Sequence, residues 1–595
     1  MRLQTTFASV GGMCLAGHFY YYNSGLCEAA RCRILSDTSH IGFIAYSNPF
    51  RYAEGTWRTG IRPLHGSDPL NVLSEPTTSC KTVTCKEFVE QFCRAKDVTD
   101  ESENTVAEYT GSDSHIRAQP VIEGDADGHS KHLYKVVAWV KKIIENRDKT
   151  AAYLEVVDGT TSVHVPLVIR DTHPNYRDLQ NADVGDAITV VATPEAKQTG
   201  QADRLTPMRL VVESEALGHV FTVHHSSRNR DEISPVALNG VYPMTYLREH
   251  CNLRVRNHIV QATFRIRSKV TERLFNIMAD MGFVHVTTPS LTNMNCEGMG
   301  EIFKVGKAVF EYMAPQAIPP KTDDDQQVDS TYLSVSGQLE LESLCSGISR
   351  VWKLGPAFRA DRSDTPRHLS EFWMLEAEMN GVTLAELIDV IHTILVRAAN
   401  VILSECQDDL AVIGAHGDGN AAERLKMLAG NSNRIESVTY SDAVGMLNEH
   451  KDSLCEYSHV NWGEPLTAAH ERSLLKLTKQ SLLAVTQFPA SVTPFYMERL
   501  SDGTVNNVDI FADGVGEIAG GSIREVRYDM LTSAMKEHGI SGVDYDRYLE
   551  LRKFGNVTHG GFGIGFERIL MYLLDIPNIR DVIHFPKLRK KYTVE

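Results

Sequence analysis

The chain has 595 residues, of which 42% are hydrophobic and 23% charged, a balance that is normal for a globular protein and leaves room for about three or four domains. No apolar run reaches the roughly 20 residues that cross a bilayer, so we expect no membrane partner. The net charge of −16 argues against a uniformly basic surface, but local patches decide nucleic-acid binding, and residues 131–149 hold six basic residues against two acidic ones.

The chain begins with residues 1–95, which we interpret as an appendage of unknown role. Its first residues are acid-poor and partly apolar, so organellar targeting is an alternative to the cytoplasmic location that we expect. The eleven cysteines include no C-x-x-C pair, which favours reduced intracellular thiols over a metal site. Apolar residues at helical spacing predict a helix within 86–96, and the polar, acidic stretch 96–131 is typical of a linker.

A small β-domain is predicted at 132–219. Five short runs of alternating or apolar residues, separated by turn residues, occur in about ninety residues. This pattern is typical of a small barrel, and an OB-fold, which binds oligonucleotides across one face, is a natural candidate. A connector at 220–244 follows, then a large domain at 245–595 with an insertion of helices and loops at about 400–470.

The most informative stretch is 351–378, in which two apolar strands flank a polar loop. Arg359 follows the first strand and Phe372 lies near the start of the second, so the two side chains can meet across a hairpin. A guanidinium beside an aromatic face offers donors for phosphate and a platform for a base. The pattern predicts a nucleotide site, with an ordinary hairpin as the alternative.

A glycine-rich segment, GGFGIGFERILM at 560–571, lies about two hundred residues further on. Its four glycines allow the backbone to pass close to a ligand or a packed sheet. The residues after them predict an amphipathic helix that carries Arg568 in its first turns.

These two segments together resemble motifs 2 and 3 of the class II aminoacyl-tRNA synthetases, and a predicted helix at 258–281 with a strand ending at Pro289 resembles motif 1. The resemblance covers about residues 132–595. Within the class it is strongest to the asparaginyl family of the aspartyl, asparaginyl and lysyl branch. It implies an α+β fold, with an N-terminal OB-fold barrel for the anticodon and a catalytic domain whose antiparallel sheet is flanked by helices. The segments that carry the narrower resemblance are 288–305, 334–342, 358–378, 508–525 and 578–587.

The resemblance also implies a reaction, in which asparagine and ATP form asparaginyl-adenylate and the 3′ end of tRNA(Asn) then accepts the amino acid. Arg359 would bridge the α-carboxylate and the α-phosphate. Arg367 and His368 would approach the outer phosphates. Phe372 would stack under the adenine, and Arg568 would lie over its other face or on the γ-phosphate.

Asp509 and Glu517 would hold Mg²⁺, a hard cation that prefers carboxylate and phosphate oxygens. Asp361 departs from the Phe-Arg-x-Glu pattern of the class, because its carboxylate reaches one methylene less far. Its contact in ATP binding is therefore in doubt.

The side chain of the amino-acid substrate is expected to meet an arginine and a carboxylate. Leu341 falls where aspartyl relatives have a lysine, which argues against an aspartate substrate. An amide fits better, because Arg524 can donate to its oxygen and Glu376 can accept from its nitrogen. A role for Glu376 as a mere partner of an arginine is the alternative. The other amino-acid-binding candidates are Glu297, Ser336 and Gln338.

Three barrel residues are candidates for contact with tRNA. Tyr153 lies on a predicted strand where relatives place an aromatic that stacks on an anticodon base, with a barrel-core tyrosine as the alternative. Lys141 and Lys142 belong to the basic stretch. Motif 1 implies a homodimer.

Three other functions stay open at this stage. An aspartyl-tRNA synthetase would share most of the motifs but should have the missing lysine. A catalytically inactive RNA-binding paralogue would have lost some of the charged site residues, and an asparagine synthetase on the same fold would not need the barrel.

Overall fold

The structure, a computed structural model, has two compact units, Met1–Ser74 and Glu75–Glu595. In the first unit, β1 (Ala8–Val10) and β2 (Met13–Leu15) pair antiparallel. The predicted linker at 96–131 lies outside the described residues, as does most of 1–95. The described residues are 8–10, 13–15, 80–92, 133–196, 208–224, 236–238, 240–296, 302–305, 331–360, 365–415, 420–430, 434–454, 457, 459–540 and 543–588.

The second unit opens with the predicted β-barrel, which is confirmed. Its sheet has the order β3-β4-β5-β6-β8-β7-β9 and is closed by pairing between β4 and β7. The elements are β3 (Cys80–Thr82), α1 (Cys85–Phe92), β4 (Leu133–Glu145), β5 (Ala151–Val157), β6 (Val165–Arg170), β7 (Ala187–Ala196), β8 (Met208–Val212) and β9 (Val220–His224).

Alternation along β4 separates the barrel interior from its surface. Val136, Ala138 and Val140 are buried in the barrel core, whereas Val137 and Trp139 are exposed. Because successive side chains of a strand point to opposite faces, the sequence pattern alone sets which face packs.

The barrel is larger than predicted at both ends. Strand β3 pairs parallel with β4, and α1 buries Phe88 and Val89 in the barrel core. The Cys85 N–H donates to Asp158 at 2.8 Å, which fixes the start of α1. Residues 80–92 therefore belong to the barrel and not to the separate appendage predicted at 1–95, and β9 extends the barrel into the predicted connector.

The large domain that follows the barrel is built from the remaining elements. Its strands are β10 (Val284–His285), β11 (Leu291–Thr292), β12 (Tyr332–Leu333), β13 (Arg350–Phe358), β14 (Glu371–Asn380), β15 (Glu436–Thr439), β16 (Leu482–Thr486), β17 (Asn507–Ala512), β18 (Gly516–Ile523) and β19 (His559–Gly565). Its helices are α2 (Met244–Glu249), α3 (His258–Asp280), α4 (Gln338–Cys345), α5 (Leu384–Glu405), α6 (Gln407–Gly414), α7 (Ala421–Gly430), α8 (Tyr440–Leu454), α9 (Ala468–Thr478), α10 (Tyr528–Glu537), α11 (Val543–Lys553) and α12 (Phe566–Leu574).

The main sheet has the order β10-β13-β14-β19-β18-β17-β16-β15. Its central pairs are antiparallel, as expected, whereas β10–β13 and β15–β16 at the two edges are parallel. The hairpin β13–β14 and the glycine-rich strand β19 are therefore neighbours, although about two hundred residues separate them.

Helices α3, α5 and α12 bury their apolar faces in the core beside this sheet, with Ile266, Ile391 and Leu570 at its centre. Among the described residues, α5 is the one helix long and apolar enough to cross a membrane by length and composition. This is weak evidence for a membrane span, because the core helix of a globular protein has the same length and composition, and α5 lies in the core.

The predicted insertion at about 400–470 contains α6, α7 and α8, but it is not only helices and loops. Strand β15 pairs with β16 and completes one edge of the main sheet. The short run Glu436–Thr439 between two helices carried too weak a strand signal to be predicted.

Candidate active site

One cavity of about 360 Å³ opens at the sheet surface where β14, β17, β18 and β19 lie side by side. Of the predicted catalytic-domain residues, Glu297 and Asp361 lie outside the described part of the chain. All the others line this cavity: Ser336, Gln338, Arg359, Arg367, His368, Phe372, Glu376, Asp509, Glu517, Arg524 and Arg568.

The motif 2 hairpin positions the first arginine. Phe358 pairs with Glu371, and the Arg359 N–H donates to the Ser370 carbonyl at 3.0 Å, so the hairpin ladder extends by one bond. The Arg359 guanidinium carbon lies 5.5 Å from the centroid of the Phe372 ring. The cationic and aromatic groups thus meet as the sequence predicts.

The glycine-rich strand β19 positions the second arginine. A Cβ at Gly561 would overlap the Ala377 carbonyl oxygen, so a side chain there would collide with the backbone of β14. The strand leads directly into α12, whose Arg568 donates to the Glu517 carbonyl at 2.7 Å. Burial, with the positive charges of Arg359 and Arg367, lowers the pKa of Arg568 against the opposing effect of Glu517. Three arginines therefore converge on one part of the cavity, which favours a polyanion.

The loop residues Arg367 and His368 have partners within the protein. Arg367 Nη1 lies 2.5 Å from Oε2 of Glu471, a residue of α9 that the sequence analysis missed. The Glu517 N–H donates to the same Glu471 oxygen at 3.3 Å. His368 Nδ1 lies 2.6 Å from the Thr365 hydroxyl.

Carboxylates crowd beside the arginines. Asp509 on β17 pairs with Gly520 on β18, and a Cβ at Gly520 would lie 3.4 Å from Asp509 Oδ1 and 3.7 Å from Glu517 Oε1. Glycine thus leaves room for both carboxylates over the same spot. Burial and the negative charges of Glu517 and Glu471 raise the pKa of Asp509 well above its ordinary value. A divalent cation would relieve this repulsion.

The donor set fits Mg²⁺. Among the described residues, no group of three or more histidines, cysteines and carboxylates forms a complete metal site. Mg²⁺ is commonly held by one or two carboxylates together with substrate phosphates and water, so Asp509 and Glu517 are sufficient.

The amino-acid side of the cavity differs from the predicted arrangement. Glu376 Oε2 lies 2.8 Å from the Lys353 ammonium, and its Oε1 accepts bonds from the Ser336 hydroxyl and from the Gly337 N–H, the latter at 3.0 Å. Arg524 is bonded to Glu378 through Nε and Nη2 and to Ser522. Both predicted residues therefore belong to ion pairs that the sequence analysis did not include, Glu376 with Lys353 and Arg524 with Glu378.

A buried network supports this side from behind. Glu342 accepts bonds from the Gln338 amide at 3.0 Å, from Arg552 at 2.7 Å and from the Tyr548 hydroxyl at 3.0 Å, and it lies 3.1 Å from His559 Nε2. Burial alone would raise the pKa of Glu342, but the charges of Arg552 and His559 outweigh it and lower that pKa. The network holds Gln338 and β19 in fixed positions.

Some of the missed residues had a usable signal. Glu378 stands two positions after Glu376 on the same strand, so alternation places both on one face. Lys353 could not be assigned, because its pairing depends on the β13–β14 register, which places it opposite Glu376. Glu471 is more than one hundred residues away from Arg367 in sequence, and no local pattern connects them.

The barrel candidates lie on its surface. Tyr153 is 44% exposed on β5, which rules out the barrel-core alternative. Lys142 is exposed near Glu155. Lys141 lies in a β-bulge and its ammonium is 2.7 Å from His164 Nε2.

The chain matches the family model of class II tRNA synthetases for D, K and N over residues 244–589. It is 33% identical over 468 residues to the asparagine–tRNA ligase of Clostridium botulinum, covering 76% of this chain and 94% of that protein. The asparagine–tRNA ligase of Alkaliphilus metalliredigens is 34% identical over 469 residues, with 77% and 95% covered. The chain therefore belongs to the class II tRNA synthetases of the aspartyl, lysyl and asparaginyl group.

Solved structures show the same fold. Asparaginyl-tRNA synthetase from Pyrococcus horikoshii, complexed with asparaginyl-adenylate, aligns with a TM-score of 0.62 at 24% identity and covers 77% of this chain and 95% of that one. Aspartyl-tRNA synthetase from Entamoeba histolytica aligns with a TM-score of 0.58 at 19% identity and covers 83% of this chain and 99% of that one.

Proposed function

We propose that this chain is an ATP-dependent asparagine–tRNA ligase. It activates asparagine with ATP to asparaginyl-adenylate and transfers the amino acid to the 3′ end of tRNA(Asn) for protein synthesis. Asparagine–tRNA ligases that share about a third of its sequence over most of the chain support this activity over the aspartyl alternative. The observation that carries it is the single cavity in which three arginines and two carboxylates adjoin a pocket of paired acidic and basic side chains.

Adenylate formation depends mainly on positioning and charge. Arg359 and Arg568 face the place where the α-carboxylate attacks the α-phosphate, and they stabilise the charge that develops on the phosphoryl oxygens. Phe372 presents its ring to the adenine. Arg367 and His368 approach the outer phosphates, and Arg367 exchanges its bond with Glu471 for one with phosphate.

Asp509 and Glu517 would hold Mg²⁺, which would neutralise phosphate charge when bound. The chain itself contributes the two neighbouring carboxylates, whose mutual repulsion a bound cation would relieve. Glu471 lies close enough to add to that repulsion.

Asparagine is selected by its side-chain amide. Glu376 keeps an acceptor towards the cavity, and Arg524 supplies donors for the amide oxygen. Ser336 and Gln338 complete the pocket near the α-amino group.

The barrel binds the anticodon end of the tRNA. An exposed tyrosine beside a basic stretch is suited to stack on a base while Lys142 neutralises backbone phosphate. Tyr153 and Lys142 meet that description, whereas Lys141 is held by His164 and contributes less.

We also propose that the enzyme is a cytoplasmic homodimer. At the end of motif 1, Phe275 and Val284 are 42% and 48% exposed, which leaves apolar surface for a second copy. Sedimentation should give twice the 66.3 kDa of one chain at micromolar concentration, and a fully active monomer would contradict this.

Pyrophosphate exchange tests the function directly. Asparagine should stimulate ATP–pyrophosphate exchange, and labelled asparagine should become attached to tRNA(Asn). Exchange with aspartate but not asparagine would assign the aspartyl alternative, and tRNA binding without exchange would indicate an inactive paralogue.

A further inference from the structure

A buried lysine lies against the carboxylate that faces the amino-acid pocket. Lys353 stands on β13 directly opposite Glu376 on β14, and the ammonium and carboxylate are 2.8 Å apart. Only 7% and 3% of the two side chains are exposed. Glu376 lines the cavity, whereas the Lys353 ammonium lies behind it, 3.0 Å from the Thr288 hydroxyl.

The contacts of Glu376 leave it able to act towards the pocket only as a hydrogen-bond acceptor. An ionised carboxylate only accepts hydrogen bonds and has about four lone-pair sites. Ser336 and Gly337 donate to Oε1, and the Lys353 ammonium lies 2.8 Å from Oε2, which has no hydrogen-bond partner in the described part of the chain. What remains towards the cavity is an acceptor, which suits the NH₂ group of an amide and repels a carboxylate.

This acceptor character depends on ionisation. Burial favours the neutral form of a carboxyl group, and a protonated Glu376 would carry a donor that could bind the carboxylate of aspartate. An opposite charge within about 4–6 Å typically favours the ionised form by about 10- to 1000-fold. Lys353 is the basic residue that lies in contact with Glu376 among the described residues.

The other groups around Glu376 do little to stabilise its ionised form. Glu340 on α4 is a second acidic group near the pair: burial raises its pKa, Lys353 opposes this and Glu376 adds to it. Further along β14, Glu378 is already bonded to Arg524. On the other side, β19 presents Gly563, which carries no charge.

We propose that Lys353 is a positioning residue for substrate selection, which keeps Glu376 ionised and aimed at the pocket so that asparagine is accepted and aspartate rejected. Position 341, where aspartyl relatives have a lysine, is a leucine in this chain. A lysine at position 341 would attract the side-chain carboxylate of aspartate. Lys353 lies on the far side of Glu376 from the pocket, pairs with Glu376 and so strengthens the rejection of aspartate. The inference rests on the proposed asparagine–tRNA ligase activity.

The test is Lys353→Met, which removes the charge and keeps most of the volume. The ratio of kcat/KM for asparagine to that for aspartate is measured by pyrophosphate exchange. We expect the ratio to fall at least about tenfold in the variant, because the positive charge opposite Glu376 is lost. Lys353→Arg, which restores a cation, should keep most of the wild-type ratio.

Two controls separate charge from structure. Thr288→Val removes the other contact of the ammonium without changing its charge, and Glu340→Gln removes the neighbouring acid; neither should change the ratio. If Lys353→Met does not fold, as judged by thermal unfolding, Lys353→Gln takes its place with the same expectation. A neutral variant that keeps the wild-type ratio would overturn the proposal, whereas absence of asparagine-dependent exchange in the wild-type enzyme would instead refute the proposed function.

Discussion

The two halves of the cavity balance charge in opposite ways. On the amino-acid side, each acidic group that faces the pocket has a basic partner: Glu376 with Lys353 and Glu378 with Arg524, with Arg552 and Glu342 paired behind them. On the phosphate side, like charges crowd, since Glu517 and Glu471 raise the pKa of Asp509 while Arg359 and Arg367 help to lower that of Arg568.

The difference follows the charge of the expected ligands. Asparagine has a neutral side chain, so a pocket for it must be neutral by itself, and burial makes unpaired charge costly there. ATP and a divalent cation bring charges of their own. The protein can therefore place carboxylates next to carboxylates and guanidinium groups next to guanidinium groups, because the bound ligand neutralises them. Such perturbed groups are typical of sites that bind or transform a charged ligand.

The largest expected effect comes from the phosphate side. Arg359→Ala should lower the rate of asparagine-dependent pyrophosphate exchange by about 10²–10³, because the developing charge on the α-phosphate loses a donor. Arg350→Ala is the matched control and should keep exchange near normal, because Arg350 starts the strand that leads to Arg359 but its guanidinium donates to the Met281 carbonyl. Comparable rates for the two variants would remove Arg359 from the reaction.

A smaller effect is expected from the barrel, which lies outside both halves. Tyr153→Ala should weaken aminoacylation of tRNA by about 1–3 kcal/mol, since one base loses its stacking partner. Pyrophosphate exchange needs no tRNA and should stay unchanged. Tyr153→Phe keeps the ring and should behave like the wild-type protein, and an equal loss in both assays would indicate a folding defect instead of a lost RNA contact.

The smallest effect concerns the pH dependence of stability on the amino-acid side. Burial alone would lower the pKa of His559, but its hydrogen bond to Glu342 and the charges of Glu342 and Glu378 raise it above the ordinary value of 6.5. A group whose pKa is raised on folding stabilises the folded state fully below its unfolded pKa, and this contribution is lost as the pH rises through the folded pKa.

The free energy of unfolding of the wild-type protein should therefore exceed that of His559→Asn most at about pH 6, and the difference should shrink as the pH rises to about 9. Denaturant titrations at several pH values measure it. A difference that is constant or grows with pH would show that His559 is not held as a cation.

Local patterns in the sequence were sufficient for the elements that carry the site. Alternation predicted the barrel strands, and the geometry of a hairpin placed the arginine and the aromatic of motif 2 together. The glycine-rich strand was recognisable because its close packing against β14 requires glycine at position 561, where a side chain would collide with the Ala377 carbonyl.

The remaining features depend on contacts that no local pattern records. Strand β3 joins β4 across about fifty residues, and the Lys353–Glu376 pair requires the strand register. Glu471 reaches Arg367 from a helix that the fold alone brings near. The partner of Arg524 was missed for the same reason, since Glu378 lies 146 residues away in the sequence and only the fold brings the two side chains together.

The central claim is that the pocket balances its own charges and recognises the side-chain amide of asparagine. The most direct test compares Glu376→Gln with the wild-type enzyme. A site built to hydrogen-bond one group can reject an analogue without it by about 10⁴–10⁵, so wild-type pyrophosphate exchange should favour asparagine over aspartate strongly. The glutamine amide can donate to a carboxylate and leaves Lys353 without its anion, so the preference should fall sharply. Comparable activation of both amino acids by the wild-type enzyme, or an unchanged ratio in the variant, would contradict the account.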